Sequence, residues 1–356
     1  MILDKKLFFI LIIFFIFLFN FILISPSHSV PFISNKKEIQ IGQSGNKQII
    51  LQYGIYQDKS LQLYINELGQ KLVSKLTNKE FRRFYFQLVD SSEINAFALP
   101  GGYVYVTRGL LAALNTESEL AAVIGHEIAH VTLHHGAKLM IRSIGSQILS
   151  LGGAIASPQN AGQWLAISSA FFQQINMGYG REAELESDSQ GMMNAVEAGY
   201  QSVAMVNFLK NLRMQEVMSG QAYHGFQASH PETKERIIKA SILASSLSRK
   251  FTTAVKNKND YILKLKGLVY GGKKNTKDRG KYKARYLDIY KVQKGDTFES
   301  ISQKFYKVDK HGYEISTING IKETNSSLTE GLVLKIIRDG VYQADKQNNI
   351  IADSGN

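Results

Sequence analysis

Residues 116–135 decide the fold of this chain, and they read TESELAAVIGHEIAHVTLHH. Thr116 and Glu119 match a capping box, in which a threonine N-cap and a glutamate three residues on satisfy free backbone N–H groups. The pattern predicts a helix that runs to about residue 135. Residues four apart lie on one helical face, so the side chains of His126 and His130 can bind the same metal ion.

The spacing also indicates a role for Glu127, which is offset by one residue from the histidine face. Zinc lowers the pKa of a bound water toward about 7, and Glu127 would take the proton as the resulting hydroxide attacks a carbonyl. The sequence therefore predicts one catalytic Zn²⁺ per chain. The flanking residues carry no charge, as a buried catalytic helix requires: Val123, Ile124, Gly125, Ile128, Ala129 and Val131.

A catalytic zinc needs three protein ligands and one open position. A second helix is predicted over residues 181–198, ended by Gly199, and its first turns carry several carboxylates. Spacing alone does not choose the third ligand among Glu182, Glu184, Glu186 and Asp188.

The composition limits the remaining chemistry. The chain has 356 residues and no cysteine, which excludes disulfides, cysteine zinc sites and thiol nucleophiles. Its net charge is +12, but residues 249–291 alone hold 14 Lys and Arg against 3 Asp and Glu. Because the positive charge is confined to one stretch, it indicates an anionic surface nearby or a solvated linker, not a nucleic-acid-binding face over the whole protein.

Residues 1–29 indicate export from the cytoplasm. Two lysines precede an apolar run over residues 7–24, and Ser27 and Ser29 offer a small-x-small cleavage pattern. We expect a secretory signal peptide, with an uncleaved N-terminal anchor as the alternative. Both place the remainder outside the cytoplasm, so no nucleic-acid partner is expected.

Apolar periodicity outlines the rest of the first domain. Residues 30–60 show little of it, whereas residues 61–76 predict an amphipathic helix. Strands are predicted over residues 84–89 and 103–106. The apolar residues 141–178 are interpreted as a helical hairpin of the core; contact with a membrane or a plug in the cleft is the alternative.

Residues 123–136 resemble the active-site helix of the HtpX/BepA-type zinc metallopeptidases, relatives of the CAAX prenyl proteases. The resemblance covers residues near 45 to 240. It implies an α+β fold of the gluzincin kind, mostly helical with a small sheet.

In that family the third ligand is the glutamate of a Glu-x-x-Ala-Asp motif with an arginine three residues before it. Glu184 matches this glutamate, Arg181 and Asp188 match its neighbours, and Ser187 replaces the alanine. The resemblance thus implies that His126, His130 and Glu184 bind the metal. Asp188 would orient a ligand histidine, with Arg181 beside it.

Two further stretches resemble the same family. Residues 95–106 are similar to the strand segment before the catalytic helix, where an edge strand binds the substrate backbone by β-addition. Ser229, His230 and Pro231, followed by Arg236, are similar to its His-Pro loop. There His230 can gate the site or stabilise the oxyanion. The substrate contacts implied are Ala96, Phe97, Ala98, Gly102 and Arg236; an ordinary strand and a structural histidine are the alternatives.

Two more histidines lie near the motif. His134 continues the i, i+4 series from His130, so a metal role is geometrically possible. It lies a full turn beyond the pair, and His135 fits a non-ligand position of the family. We interpret both as packing or solvent residues.

Residues 290–336 resemble a LysM module, a small βααβ domain that binds N-acetylglucosamine chains of peptidoglycan or chitin. The resemblance rests on the Gly295-Asp296-Thr297 turn, on Asn319 and on a closing strand that ends at Ile336. Phe298 and the lysine-bearing residues 307–313 depart from the pattern. The alternative is a LysM-like module that only packs on the peptidase.

These observations predict an exported zinc endopeptidase of misfolded or misassembled envelope proteins, located in the periplasm or cell envelope. Peptidoglycan and outer-membrane assembly machinery are its expected further partners. The predicted divisions are residues 1–29, signal peptide or anchor; 30–248, metallopeptidase domain; 249–288, basic linker; 289–338, LysM-like domain; and 339–356, flexible tail.

Two other functions compete with this prediction. One is a chaperone-like or wall-tethering binding protein whose cleft is plugged. The other is a peptidoglycan hydrolase, which the LysM resemblance suggests. Metal-dependent wall endopeptidases commonly use His-x-His sites, and this sequence has none.

Overall fold

A computed structural model describes residues 33–77, 83–141, 178–219, 226–231, 234–250, 258–272, 284–321 and 327–343. Residues 1–29 and nearly all of the expected hairpin of residues 141–178 lie outside these ranges. In the described ranges, no helix combines the length and apolar character needed to cross a membrane.

The peptidase part begins with two helices and a small sheet. The helices are α1 (Asn35–Tyr53) and α2 (Lys59–Val73), and the strands are β1 (Tyr85–Val89), β2 (Ala96–Leu99) and β3 (Tyr103–Thr107). β3 lies in the middle, parallel to β1 and antiparallel to β2. Among the described residues β2 therefore has a free edge. The helix and both strands that the sequence predicts here are confirmed.

Helix α1 lies where the sequence shows little periodicity. Its glycines take positions that an apolar residue would otherwise fill. A Cβ on Gly42 would lie 2.0 Å from the carbonyl oxygen of Pro100, and one on Gly45 would lie 2.8 Å from Leu99. The backbone of α1 therefore packs directly against the end of β2 and the turn that follows it. Because glycines replace apolar residues at these contacts, the apolar periodicity of the helix is weak.

Seven further helices of this part lie in the described residues. They are α3 (Arg108–Ala113), α4 (Glu117–Thr132), α5 (Arg181–Glu197), α6 (Ala204–Ser219), α7 (Phe226–Ser229), α8 (Lys234–Lys250) and α9 (Lys258–Lys264). Helix α4 is the motif helix, capped as predicted by the Thr116 side chain, which accepts the Glu119 N–H. Its residues from Ser118 to Val131 are all buried.

Two glycines let α4 and α5 cross with their backbones in contact. A Cβ on Gly125 would lie 2.8 Å from the carbonyl oxygen of Gly191, and one on Gly191 would lie 2.6 Å from the backbone nitrogen of His126. No other residue fits at either position without moving a helix. This close crossing brings the carboxylates of α5 to the histidines of α4.

Residues 285–339 form a second, C-terminal domain. It consists of β4 (Arg285–Lys291), α10 (Phe298–Tyr306), α11 (Gly312–Ile318) and β5 (Val333–Asp339), with the two strands paired antiparallel. Thr297 caps α10, and its side chain accepts the Ser300 N–H. This confirms the predicted βααβ module and, with the mostly helical first part, the α+β fold.

Candidate metal centre

Four side chains from three places in the chain converge on one buried point. His126 and His130 come from α4, Glu184 from α5, and His230 from the residue after α7. Each is at most 1% exposed, and each offers one ligand atom within 4.8 Å of the others. The structure thus brings the three predicted ligands together and adds His230 as a fourth donor.

The ring nitrogens face one another at short range. Nε2 of His126 lies 3.0 Å from Nε2 of His130 and 3.3 Å from Nδ1 of His230. Nδ1 of His230 lies 3.0 Å from the Glu184 carboxylate. Three imidazoles and a carboxylate match the nitrogen and oxygen ligands that zinc prefers, so the donor set fits one such ion.

The surrounding charges keep Glu184 ionised. Burial alone would raise its pKa, but the nearby His230, His126 and His130 hold that pKa well below its ordinary value. Burial lowers the pKa of His130. A negative carboxylate beside a neutral imidazole is the protonation state that metal ligation requires.

Glu127 lies beside this group and is itself fully buried. Among the described residues neither of its carboxylate oxygens has a hydrogen-bond partner, and Oε1 lies 3.3 Å from Nε2 of His230. Burial raises its pKa, against the lowering effect of the His230 and His126 charges. A buried, unsatisfied carboxylate is costly, and a functional site is where such a group is expected.

Asp188 and Arg236 contact the ligand residues and hold them in place. Oδ1 of Asp188 lies 3.0 Å from Nδ1 of His126. Arg236 donates to both Asp188 oxygens at 2.8 Å, reaches Glu184 at 2.8 Å and donates to the His230 carbonyl at 3.1 Å. Burial lowers the pKa of His126, but the Asp188 and Glu184 hydrogen bonds outweigh this and raise it to about 9.

The two arginines singled out from the sequence therefore lie in unexpected places. Arg236, expected to contact substrate, is 1% exposed and lies behind the ligands. Arg181, expected beside Asp188, has a side chain 67% exposed that pairs with Glu235. The structure does not bring Arg181 to the centre.

His134 and His135 occupy different surroundings. Nδ1 of His134 lies 2.7 Å from the buried Glu38 carboxylate of α1. Nδ1 of His135 lies 3.0 Å from Nδ1 of His130, and its Nε2 lies 3.0 Å from Glu186. Neither belongs to the group of four donors.

Comparison with known proteins agrees with this centre. Residues 59–243 match the model of peptidase family M48, and residues 290–336 match that of the LysM domain. The chain belongs to peptidase family M48. The resemblance inferred from the motif helix is thereby confirmed.

Individual relatives match part of this M48 chain. It is 32% identical over 222 residues to beta-barrel assembly-enhancing protease of Escherichia coli K12, covering 59% of this chain and 44% of that protein. The Yersinia pestis protein of that name is 34% identical over 191 residues, covering 51% and 38%. Mitochondrial metalloendopeptidase OMA1 of Schizosaccharomyces pombe is 28% identical over 209 residues, covering 57% and 59%. The chain thus spans less than two thirds of each relative.

Strand β2 of this M48 chain lies beside the metal centre, and its register shows which groups face outward. The Thr107 N–H donates to the carbonyl of Asn95. Hydrogen-bonded pairs alternate along an antiparallel ladder, so Ala96 and Ala98 direct their backbone N–H and C=O groups to the free edge. Phe97 instead packs its ring on Tyr105, with centroids 5.0 Å apart.

Gly102 lies elsewhere. It is in the turn between β2 and β3, with φ +96°, and a Cβ there would lie 2.4 Å from the carbonyl oxygen of Arg83. The close approach requires glycine, but it faces the β1 side of the sheet. The structure therefore does not place Gly102 at the free edge.

Tyr179 contributes to the site, and the sequence reasoning did not identify it. Its ring stacks on His130 with centroids 4.0 Å apart, and its hydroxyl donates to the carbonyl of Ala98 at 3.2 Å. Gly178 and Gly180 flank it, both with positive φ. A tyrosine between two glycines, directly before the ligand helix, was the available signal.

Proposed function

We propose that this chain is an exported zinc endopeptidase that hydrolyses peptide bonds of misfolded or misassembled envelope proteins. One observation carries the proposal: four buried donors converge beside a buried Glu127 whose oxygens have no hydrogen-bond partner among the described residues. Membership of family M48 supports the reaction class.

In the proposed reaction His126, His130 and Glu184 hold the zinc ion. When bound, zinc supplies a Lewis acid that activates water and polarises the scissile carbonyl. Glu127 accepts the proton of the attacking water and passes it to the leaving amine. Its position beside the four donors, with neither oxygen hydrogen-bonded to another described residue, leaves the carboxylate available for both proton transfers.

Asp188 and Arg236 position the ligands. The Asp188 carboxylate holds Nδ1 of His126, which fixes the ring tautomer and turns Nε2 toward the metal. The Arg236 guanidinium forms ion pairs with both carboxylates and links the His230 loop to α5. His230 lies close enough to serve either as a fourth ligand or, when it moves away, as a group facing the oxyanion.

The substrate strand would add to the free edge of β2. Ala96 and Ala98 offer the outward backbone groups for this pairing, next to the metal ligands. Main-chain pairing tolerates many sequences, which suits a protease of unfolded segments. Phe97 supports the strand from the core side through Tyr105.

The substrate class and location rest on the relatives and on the second domain. Beta-barrel assembly-enhancing protease is the name of the relatives from Escherichia coli and Yersinia pestis, at 32% and 34% identity. We infer a periplasmic or envelope location and substrates from outer-membrane assembly. The LysM domain supports contact with peptidoglycan. The basic linker predicted over residues 249–288 is not a free segment, because α9 and the start of β4 lie within it and Tyr261 is buried in the core.

One observation favours a second candidate, a closed binding protein with little hydrolysis. The Tyr179 hydroxyl donates to the edge carbonyl of Ala98, and a cavity between Ala98 and His130 has a volume of only about 10 Å³. That space does not admit a peptide. Hydrolysis at the metal centre therefore requires a movement that frees the edge of β2, whereas binding at another surface of the protein does not.

Parallel assays of cleavage and binding distinguish the two candidates. The purified chain and its Glu127→Gln variant are incubated with an outer-membrane protein presented either unfolded or folded in detergent. The protease predicts cleavage of the unfolded form by the parent chain alone. Binding of the unfolded form by both proteins without cleavage would instead establish the closed binding protein.

A further inference from the structure

The C-terminal domain is joined to the peptidase part by a buried lysine. Lys335 in β5 is fully buried, and its Nζ donates to the carbonyls of Ala112 at 2.7 Å and Leu114 at 2.8 Å. These carbonyls lie at the end of α3, where helical backbone acceptors have no partner within the helix. A lysine with no role beyond the solubility of the domain would lie at the surface.

The C-terminal domain presents this lysine rigidly. The Asn319 side chain accepts the Lys335 N–H at 2.8 Å and donates to the Lys335 carbonyl at 2.9 Å. Its amide also donates to the carbonyl of Ile315 in α11. These bonds hold the backbone of Lys335 in β5 to helix α11.

The peptidase residues that Lys335 contacts lead directly into the metal helix. Leu114 is followed by Asn115, whose N–H donates to the Glu119 carboxylate at 2.8 Å, and by Thr116, the cap of α4. The short turn from Leu114 to Thr116 is therefore held by Lys335 on one side and by α4 itself on the other. A shift of β5 would move the N-terminus of the helix that carries both ligand histidines.

Electrostatics and packing support the same connection. Glu119 is 4% exposed, and its negative charge favours protonated Lys335, whereas burial and the Lys258 charge disfavour it. The Tyr261 hydroxyl adds a third bond to the end of α3, at the carbonyl of Leu111. Apolar side chains of the C-terminal domain join the core of the peptidase part: Leu287, Ile318, Val333 and Ile337.

We propose that Lys335 is a positioning residue for the metal centre, through which the C-terminal domain sets the placement of α4. The domain then acts as an internal clamp on the peptidase and not only as a wall tether. This rests on the proposed function for the identity of the metal, but not on hydrolysis, because the metal site itself reports the placement of α4.

The test replaces Lys335 by methionine, which keeps the length and removes the charge and the hydrogen bonds. Lys310→Met is the matched control, because Lys310 is an exposed lysine of the same domain. The full-length proteins are loaded with Co²⁺, and the visible spectrum and the metal dissociation constant are measured. We expect Lys335→Met to change the ligand-field bands and to weaken metal binding at least tenfold, with Lys310→Met unchanged.

A second variant covers the case in which Lys335→Met does not fold. Glu119→Gln keeps the hydrogen-bond acceptor for Asn115 but removes the charge that faces Lys335. We expect an intermediate loss of metal affinity, and in a folded double variant the two effects should not add. Spectra and affinities equal to those of the parent chain in every folded variant would overturn the inference. A parent chain that binds no metal would instead contradict the proposed function.

Discussion

The hydroxyl of Tyr179 donates to the carbonyl of Ala98 at 3.2 Å while its ring stacks on the ligand His130. One side chain thus covers both the edge of the substrate strand and a metal ligand. In the proposed protease this hydrogen bond competes with the backbone N–H of an incoming substrate. Opening the site requires Tyr179 to leave, and its two flanking glycines allow the backbone to adopt conformations closed to other residues.

Tyr179→Phe should therefore lower the KM for unfolded substrates. The ring and its stacking on His130 remain, but the competing bond, worth about 1 kcal/mol, is lost, which corresponds to a change of about fivefold. Steady-state cleavage of a labelled unfolded protein measures it. Tyr200→Phe is the control, because the Tyr200 hydroxyl bonds Glu117 away from the centre. An unchanged or higher KM for Tyr179→Phe would contradict this role.

Arg236→Met should destabilise the protein strongly. It leaves Asp188 and Glu184 buried without their cation, and removing one partner of a buried ion pair costs about 3 to 5 kcal/mol. Chemical unfolding of the metal-free protein measures the loss. Arg181→Met provides the contrast: its exposed pairing with Glu235 predicts a stability close to that of the parent chain. Equal losses in both variants would refute the placement of the two arginines.

Asp188→Asn should weaken zinc binding by about 10- to 100-fold, as is typical when the partner of a ligand histidine is lost. The amide cannot replace the charge that faces Nδ1 of His126. Competition with a chelator of known affinity gives the value. Glu182→Gln is the matched control, since Glu182 is an exposed carboxylate of the same helix and is not among the four donors. If the control weakened zinc binding more than Asp188→Asn, the orienting role assigned to Asp188 would be wrong.

Lys335 predicts how the stability changes with pH. Burial lowers its pKa from 10.5 to about 7, with Lys258 also lowering it and Glu119 opposing. Between these two values the unfolded chain binds the extra proton, so the free energy of unfolding rises as the pH rises from about 7 toward 10.5.

The relevant quantity is the difference in the free energy of unfolding between the parent chain and Lys335→Met, because the contributions of the other titratable groups largely cancel in that difference. We expect the difference to shift in favour of the parent chain by on the order of 1 to 2 kcal/mol between pH 7.5 and pH 9. Urea unfolding at each pH measures it. A difference that stays constant over this range would show that Lys335 has a similar pKa in both states.

The sequence predicted the features that depend on local spacing. The two histidines of α4 lie four residues apart on one helix, and the cap at Thr116 follows from neighbouring residues. Family resemblance then selected Glu184, which spacing alone had left open. The βααβ order of the C-terminal domain was also predictable, because its turns and strands are contiguous.

The features that the sequence missed depend on contacts between distant segments. Arg236 reaches Asp188 from 48 residues away, whereas Arg181 lies at the start of α5, where its side chain turns to solvent and Glu235. Burial of Lys335 depends on contacts across more than 220 residues. Such pairings leave no periodicity in a single sequence, and a lysine in a strand ordinarily indicates an exposed face.

The most direct test of the central claim is a paired measurement of zinc content and cleavage in the parent chain and in Glu127→Gln. Glu127 is not among the four donors, so its replacement should leave the metal in place. The account predicts about one zinc per chain in both proteins, and hydrolysis of an unfolded substrate by the parent chain alone. Cleavage by both proteins at equal rates, or the absence of zinc from the parent chain, would contradict it.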